Sequence, residues 1–357
     1  MIKSLSPYYV TTSFVSPLTS VTCTSYKLQI YVWSGDKASV PSTATYEETV
    51  LNTNTSIGDS KLNISRLVND LITFTTTDSA STATLDGNNQ MWVQHDVIYT
   101  TTNASDDDVK QSTATVLMVN GYTYGLEGVN AQTPTNKVFM SGTEFNVNRS
   151  GFFNIPVLIT EDTGSQIATA TSYPDNEINT TLTLPNTNDS AELVQYLWID
   201  CSETTTDTTI QVVYNSVTIT LYITAECRYT PIDIAFQNKE GALQLFTFFK
   251  VKKDTIDVTS ETFESDRGQP SETNHQFVKY NVQAKSKFTV NTGFVSESIN
   301  ETIRQLLLSE RVWQYDGADF IPLNVNTKSQ EFKTRQNDRL INYQIGFDYA
   351  YNKINNI

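Results

Sequence analysis

Two histidines, His95 and His275, are the only imidazoles available for acid–base work near neutral pH in this sequence. His95 closes the run Met91-Trp92-Val93-Gln94-His95, an even step from Val93. On a strand the two share one sheet face, the place of a structural imidazole rather than of a metal ligand. His275 falls in polar Ser271–Gln276 and reads as a solvated loop residue. Asp106-Asp107-Asp108 gathers the oxygens that a hard cation prefers, but lacks the alternating D-x-D-x-D-G of a calcium loop, and reads as an acidic loop tip. Glu47-Glu48 and Glu161-Asp162 have the residue types of a glycosidase acid and nucleophile. With 39 Asp and Glu in 357 residues, neighbouring acids carry no information. Cys23, Cys201 and Cys227 are odd in number, sparse and without C-x-x-C spacing, which fits isolated thiols and not a disulfide framework or zinc site. The sequence has no phosphate loop, dinucleotide fingerprint, G-x-S-x-G or H-E-x-x-H. The expectation is a chain with no catalytic residues, no cofactor and no metal, hence not an enzyme.

The aromatic residues say more. There are 18 Tyr, 17 Phe and 4 Trp, and several tyrosines lie outside clear core positions: Tyr8, Tyr9, Tyr122, Tyr124, Tyr349 and Tyr351. Aromatic side chains bury large area at low entropic cost, so these six are the candidate partner interface. A carbohydrate platform would use the same residue types.

Composition narrows the partners. The formal net charge is −15, and an acidic surface repels nucleic acid. No stretch approaches the roughly 20 apolar residues that a membrane-crossing helix needs. The opening Met1–Pro7 lacks the apolar core of a signal peptide, which points to folding where the chain is made. Seven Asn-x-Ser/Thr triplets are what chance supplies from 30 Asn and 83 Ser and Thr.

These residues must be positioned by strands. With 52 Thr beside many Tyr, Phe and Val, the composition favours a pleated surface, and the expected fold is mainly β. Two or more sandwich- or barrel-like modules are expected, with short helices only near 63–72 and 297–309. Tyr26–Trp33 is a strand with Tyr26, Leu28, Ile30 and Val32 on its core face. Ile64, Leu67, Val68 and Leu71 make one helical stripe behind an Asn63 N-cap. Further strands fall at Met91–Thr100, Ala114–Asn120, within Phe139–Ile159, and at Leu193–Asp200. Thr209–Tyr214 and Val217–Thr224 form a hairpin through Asn215-Ser216. Residues 161–188, polar and with Pro174 and Pro185, read as an exposed loop or arm. Ile232–Gln237 and Leu243–Phe249 flank a turn at Asn238-Lys239-Glu240-Gly241. His275–Ser286 puts Val278, Tyr280, Val282 and Ala284 on one face. The Glu297–Ser309 helix has Ser298 and Glu301 at capping-box spacing. Leu340–Tyr351 is a terminal strand with six large residues on one side.

Residues 1–225 carry 8 basic and 22 acidic side chains, a net of −14, whereas 226–357 carry 16 and 17, a net of −1. Ser and Thr fall from 64 of 225 to 19 of 132 across the same point. Two regions are expected: an acidic hydroxyl-rich region of one or two β modules over 1–225, and a charge-balanced domain with one helix over 226–357.

The segment Ile232-Asp233-Ile234-Ala235-Phe236-Gln237-Asn238-Lys239-Glu240-Gly241-Ala242, followed by Leu245-Phe246-Thr247-Phe248, resembles a hairpin of structural tail proteins from phages of Bacteroidota, the crAss-like phages among them. Asn291-Thr292-Gly293-Phe294, Leu306–Trp313 and Ile321-Pro322-Leu323-Asn324-Val325 follow in the matching order. Ser6-Pro7-Tyr8-Tyr9-Val10 and the Tyr26–Trp33 strand are similar to the same group. The resemblance covers about 228–351 best and 6–75 less closely. It implies an immunoglobulin- or fibronectin-like first module and a virion protein of the tail hub, collar or adaptor of a short-tailed phage. Such a protein would fold in the host cytoplasm, form a ring of six or twelve copies, and dock other virion tail proteins or fibres without touching nucleic acid or inserting in membrane. A β-rich adhesin or carbohydrate-binding surface protein is the alternative that the residues leave open.

Overall fold

The computed structural model describes residues 1–12, 23–51, 60–72, 84–85, 90–101, 109–112, 115–130, 134–159, 166–184, 193–226, 228–265, 268, 272–317, 319–334 and 341–353. The chain is mainly β with short helices, as expected. Its first strands are β1 (Ile2–Lys3), β2 (Tyr9–Thr12), β3 (Cys23–Trp33), β4 (Tyr46–Leu51) and β5 (Ser60–Asn63), followed by helix α1 (Ser65–Asn69). Then come β6 (Thr84–Leu85), β7 (Gln90–Thr101), β8 (Val109–Ser112), β9 (Val116–Val119), β10 (Glu144–Asn148) and β11 (Phe152–Ile159). The middle of the chain adds β12 (Gln166–Tyr173), β13 (Asn179–Leu184), β14 (Leu193–Asp200), β15 (Thr209–Tyr214) and β16 (Val217–Thr224). The last part comprises β17 (Ile232–Gln237), β18 (Leu243–Phe248), β19 (Lys253–Glu264), β20 (Phe277–Asn291), α2 (Asn300–Leu308), β21 (Val312–Tyr315), β22 (Phe320–Val325) and β23 (Gln344–Tyr349). No helix among the described residues is long and apolar enough to cross a membrane.

The first module is a six-stranded sheet ordered β1-β9-β7-β3-β4, with β8 also on β7. Tyr26, Leu28, Ile30 and Val32 are buried on one face of β3, as their period of two requires. They pack against Val10, Ile64, Val68 and Ile72, so the second layer is the β2–β5 pair with α1. Helix α1 starts one residue later than the sequence suggests. Ile64 is its N-cap, and Asn63 Oδ1 accepts from Ser65 N (3.2 Å) and Ser65 Oγ (2.8 Å) from one position further out. Leu67 turns outward, because five residues leave room for only a narrow stripe.

The rest of the chain stacks three layers. A five-stranded sheet ordered β10-β16-β15-β12-β13 faces the three-stranded sheet β11-β14-β6. The β15–β16 hairpin matches its sequence boundaries, and Asn215 and Ser216 both take positive φ (45° and 64°), as a two-residue hairpin turn demands. Residues 166–184 correct the expectation of an exposed loop: β12 and β13 are paired strands of this sheet. The inward face of β12 is Ala168, Ala170 and Ser172, too small and polar to register as a hydrophobic alternation, and β13 buries Leu182 among threonines. Strand β11 is buried on both sides. Phe153 packs on Phe145 at 5.3 Å, whereas Asn154, on the opposite face, donates to Leu243 O (3.0 Å) and accepts from Leu245 N (3.0 Å).

The third layer is an antiparallel seven-stranded sheet ordered β18-β17-β21-β22-β23-β20-β19. One cluster of buried side chains runs through all three layers, from Tyr31 and Trp92 to Phe236, Leu306 and Phe347. The terminal strand is shorter than its alternation implies: Ile341, Tyr343, Ile345 and Phe347 are buried, but regular pairing spans only Gln344–Tyr349 and Tyr351 is 51% exposed. The capping box at α2 does not form. A 3₁₀ turn, Glu297–Ile299, leads into the helix, and the Glu301 carboxylate is engaged elsewhere.

Candidate functional site

The turn between β17 and β18 is built by Asn238 and Gly241. Asn238 Oδ1 accepts from Glu240 N (3.0 Å) and Ala242 N (3.1 Å), and Gly241 takes φ 87°, which side chains with a Cβ avoid. The turn docks on Asn120-Gly121-Tyr122 of the first module. Tyr122 N donates to Lys239 O (2.9 Å), Gln237 Nε2 donates to Asn120 O, and buried Lys3 pairs through Nζ with the largely buried Glu240 at 2.7 Å. Helix α2 closes the junction. Tyr124 OH donates to Glu301 Oε1 (2.7 Å), Gln305 Oε1 accepts from Lys239 N (3.0 Å), and Lys239 Nζ lies 4.8 Å above the Tyr124 ring and 2.6 Å from Glu127 Oε1. Burial, with Glu301 alongside, raises the Tyr124 hydroxyl above its ordinary pKa.

Behind the turn lies a connected polar core. Gln244 accepts from Ser141 N (3.0 Å) and donates to Ser141 Oγ (2.7 Å), which lies 2.7 Å from Thr302 Oγ1. Asn238 Nδ2 reaches Phe139 O (2.6 Å) and Gln244 Oε1 (3.2 Å). Buried donors and acceptors that answer one another in this way fix a unique geometry.

From this anchored sheet one element departs. Strands β19 and β20 pair from Lys253↔Thr289 to Glu264↔Phe277, but β20 meets β23 only over Lys287–Asn291. The outer part is a two-stranded ribbon, and every residue of β19 but the last is exposed. A hairpin of that length is marginal in water unless its apolar face is covered. Yet Ile256, Val258, Phe263, Phe277 and Tyr280 are all exposed, with Phe277 at 62%. Phe263 and Tyr280 touch edge to face at 5.6 Å. A bulge follows Thr259↔Gln283, where Asn281 takes φ 48°. It corrects the expected single face of β20. Val258 pairs with Ala284 and Glu261 with Tyr280, an odd step on β19, so Tyr280 and Val278 face away from Val282 and Ala284.

The six candidate tyrosines fall in two places. Tyr8, Tyr9, Tyr122 and Tyr124 belong to the first module: Tyr8 packs on its core, Tyr9 N donates to Asn130 Oδ1 (2.7 Å), and Tyr122 and Tyr124, their rings 6.0 Å apart, stand at the junction, where Thr123 N donates to Ser6 Oγ (2.6 Å). Tyr349 and Tyr351 sit at the ribbon's root, their rings 5.5 Å apart, with Tyr349 against Phe288 (5.3 Å) and Lys252 Nζ 4.5 Å over the Phe288 ring.

The other chemical candidates remain scattered. His95 shares a sheet face with buried Val93 and Val97, and burial lowers its pKa to about 4, so it is neutral at pH 7. His275 lies at the ribbon tip, where its carbonyl accepts from Ser265 Oγ (2.8 Å). Glu47 and Glu48 are on edge strand β4, with Glu47 paired to Lys27 at 2.6 Å. Burial, with Asp200 and Asp233 near, pushes the Cys201 thiol up to about 12. Asp106-Asp107-Asp108, Glu161-Asp162 and Cys227 lie outside the described residues, as does the side chain of Cys23. Among the described residues no three His, Cys, Asp or Glu converge as metal ligands.

Of the ribbon's two strands the sequence points to β20 but not to β19, although the signal of β19 is present: Ile256 and Val258 alternate with charged and hydroxyl residues just as a half-buried strand would. Compared with family models, curated proteins and solved structures, the chain matches none.

Proposed function

We propose that this chain is a non-enzymatic structural protein that assembles with copies of itself through the β19–β20 ribbon. Its place is the tail hub or collar of a short-tailed phage, where it forms or joins a ring of six or twelve copies and docks neighbouring tail proteins or fibres. The ribbon carries the assembly reading: five large apolar side chains stand exposed on a two-stranded projection that has no core of its own. The resemblance of the β17–β18 hairpin and of Asn291–Phe294 to phage tail proteins supplies the particle. Folding in the host cytoplasm and residence in the virion follow from that resemblance.

Light scattering on purified chain tests the assembly. The unaltered protein should form a defined multiple of 40.0 kDa, and Val258→Ser with Phe277→Ser, which share one ribbon face, should reduce it to monomer. Equal masses for both would refute the ribbon's role. A carbohydrate-binding surface protein is a second reading, favoured by the cleft of about 220 Å³ where Tyr349 and Tyr351 meet Asp348, Asn324 and Lys285. Retention of a stable monomer on immobilised glycans would favour it.

A further inference from the structure

Strand β20 joins two unlike surfaces. Its start, at Phe277, is the ribbon; beyond its end, after Gly293, Phe294 is 63% exposed at the mouth of a groove of about 390 Å³. Fifteen residues at a rise of ~3.3 Å put these surfaces roughly 50 Å apart, so a chain's ribbon points away from its own groove. The groove is walled by Phe294 and Tyr222, the latter 43% exposed on the outer face of β16, and it carries the carboxylates of Glu144 and Glu297. On the ribbon, Phe277 and Lys279 lie on one face by their even spacing. Lys279 is exposed and makes no ion pair among the described residues, while neighbouring Glu264 accepts from Gln276 Nε2 (3.1 Å).

We infer that the ribbon of one copy docks head to tail in the β10–β16 groove of the next. Phe277 stacks between Phe294 and Tyr222, and Lys279 meets Glu144 and Glu297. An aromatic anchor beside a cation matches an aromatic-walled groove beside two carboxylates, in shape class and in sign. Because donor and acceptor are different surfaces at opposite ends of one strand, the contact is heterologous. Repetition of such a contact yields a ring where the rotation closes. This inference rests on the assembly reading and adds its acceptor.

The test uses the full chain with two single variants, Phe277→Asp in the ribbon and Phe294→Asp in the groove, both at exposed positions. Each should associate at least about tenfold more weakly than the unaltered chain. Mixed together, they should give a species of twice 40.0 kDa and nothing larger, since one working ribbon and one working groove remain. Lys279→Glu should weaken assembly and Glu144→Lys in the same chain should restore it. If Phe294→Asp assembles like the unaltered chain, or the mixture gives no two-chain species, the groove is not the acceptor. Those results leave ribbon-mediated assembly standing. An unaltered chain that stays monomeric overturns both.

Discussion

Gly121 and Gly241 face each other where the first module meets the seven-stranded sheet. A Cβ on Gly121 would lie 2.8 Å from Lys239 O, and one on Gly241 would lie 2.8 Å from both Asn120 C and Gly121 N. The two backbones touch with no side chain between them, and the turn hydrogen bonds of Asn238 hold that approach. Gly241 also needs φ 87°. Gly241→Ala should therefore cost more than Gly121→Ala, with losses of about 2–4 and 1–3 kcal/mol in urea unfolding. A loss below about 0.5 kcal/mol for Gly241→Ala would mean that the junction yields easily.

Gln244 tests the polar core behind that turn. Gln244→Ala leaves Ser141 N and Asn238 Nδ2 without the acceptor they share, inside a fully buried site. Each orphaned buried donor costs about 1–3 kcal/mol, so the variant should lose about 2–5 kcal/mol by chemical denaturation. Wild-type stability would show that water replaces the amide at no cost.

Asp233 gives the fold a pH dependence. Burial lifts its pKa to about 6, and the hydrogen bond from Thr247 Oγ1 (2.5 Å) only partly opposes this. An unfolded Asp titrates near 3.9. Between about pH 4 and pH 6 the native chain holds a proton that the unfolded chain has released, so stability falls as pH rises through that window. Asp233→Asn should raise stability at pH 7.5 by about 2 kcal/mol and change it little at pH 4. Equal effects of the substitution at both pH values would contradict the assignment.

Glu177 has the opposite sign. Its carboxylate accepts from the Thr205 hydroxyl and from the N–H groups of Asp207, Thr206 and Thr205, which lower its pKa to about 2. Asp207 returns the arrangement by accepting from Glu177 N (2.9 Å) and Ser172 Oγ. A depressed carboxylate stabilises the native state above about pH 4, and the gain fades as pH falls toward 2. Glu177→Gln should lower Tm at pH 7, and the gap to the unaltered chain should narrow in melts taken at decreasing pH. A constant gap would rule out the ionised form as the cause.

What was legible in the sequence follows from where side chains are buried. The β15–β16 hairpin was readable to the residue because Ile219, Leu221 and Ile223 alternate on a single core face beside a two-residue turn. Strand β12 was hidden because alanines and a serine face the core there, and β13 because Leu182 stands among threonines. The capping box failed because Glu301 is claimed by Tyr124, 177 positions away, a competition that local spacing cannot express. Of the six tyrosines singled out by residue type, Tyr8 packs on the first module's own core and Tyr124 is bound to Glu301 of α2, which local sequence cannot express. The ribbon's alternation looks like that of a buried strand, and only tertiary structure shows that nothing in the same chain covers it.

Amide hydrogen exchange across Lys253–Glu264 and Phe277–Ser286, measured on dilute and on concentrated protein, addresses the ribbon's role most directly. Assembly through the ribbon predicts slower exchange in these two segments as concentration rises, with the β15–β16 hairpin unchanged. Ribbon exchange that is fast and independent of concentration, while the protein's mass shows it assembled, would contradict the account.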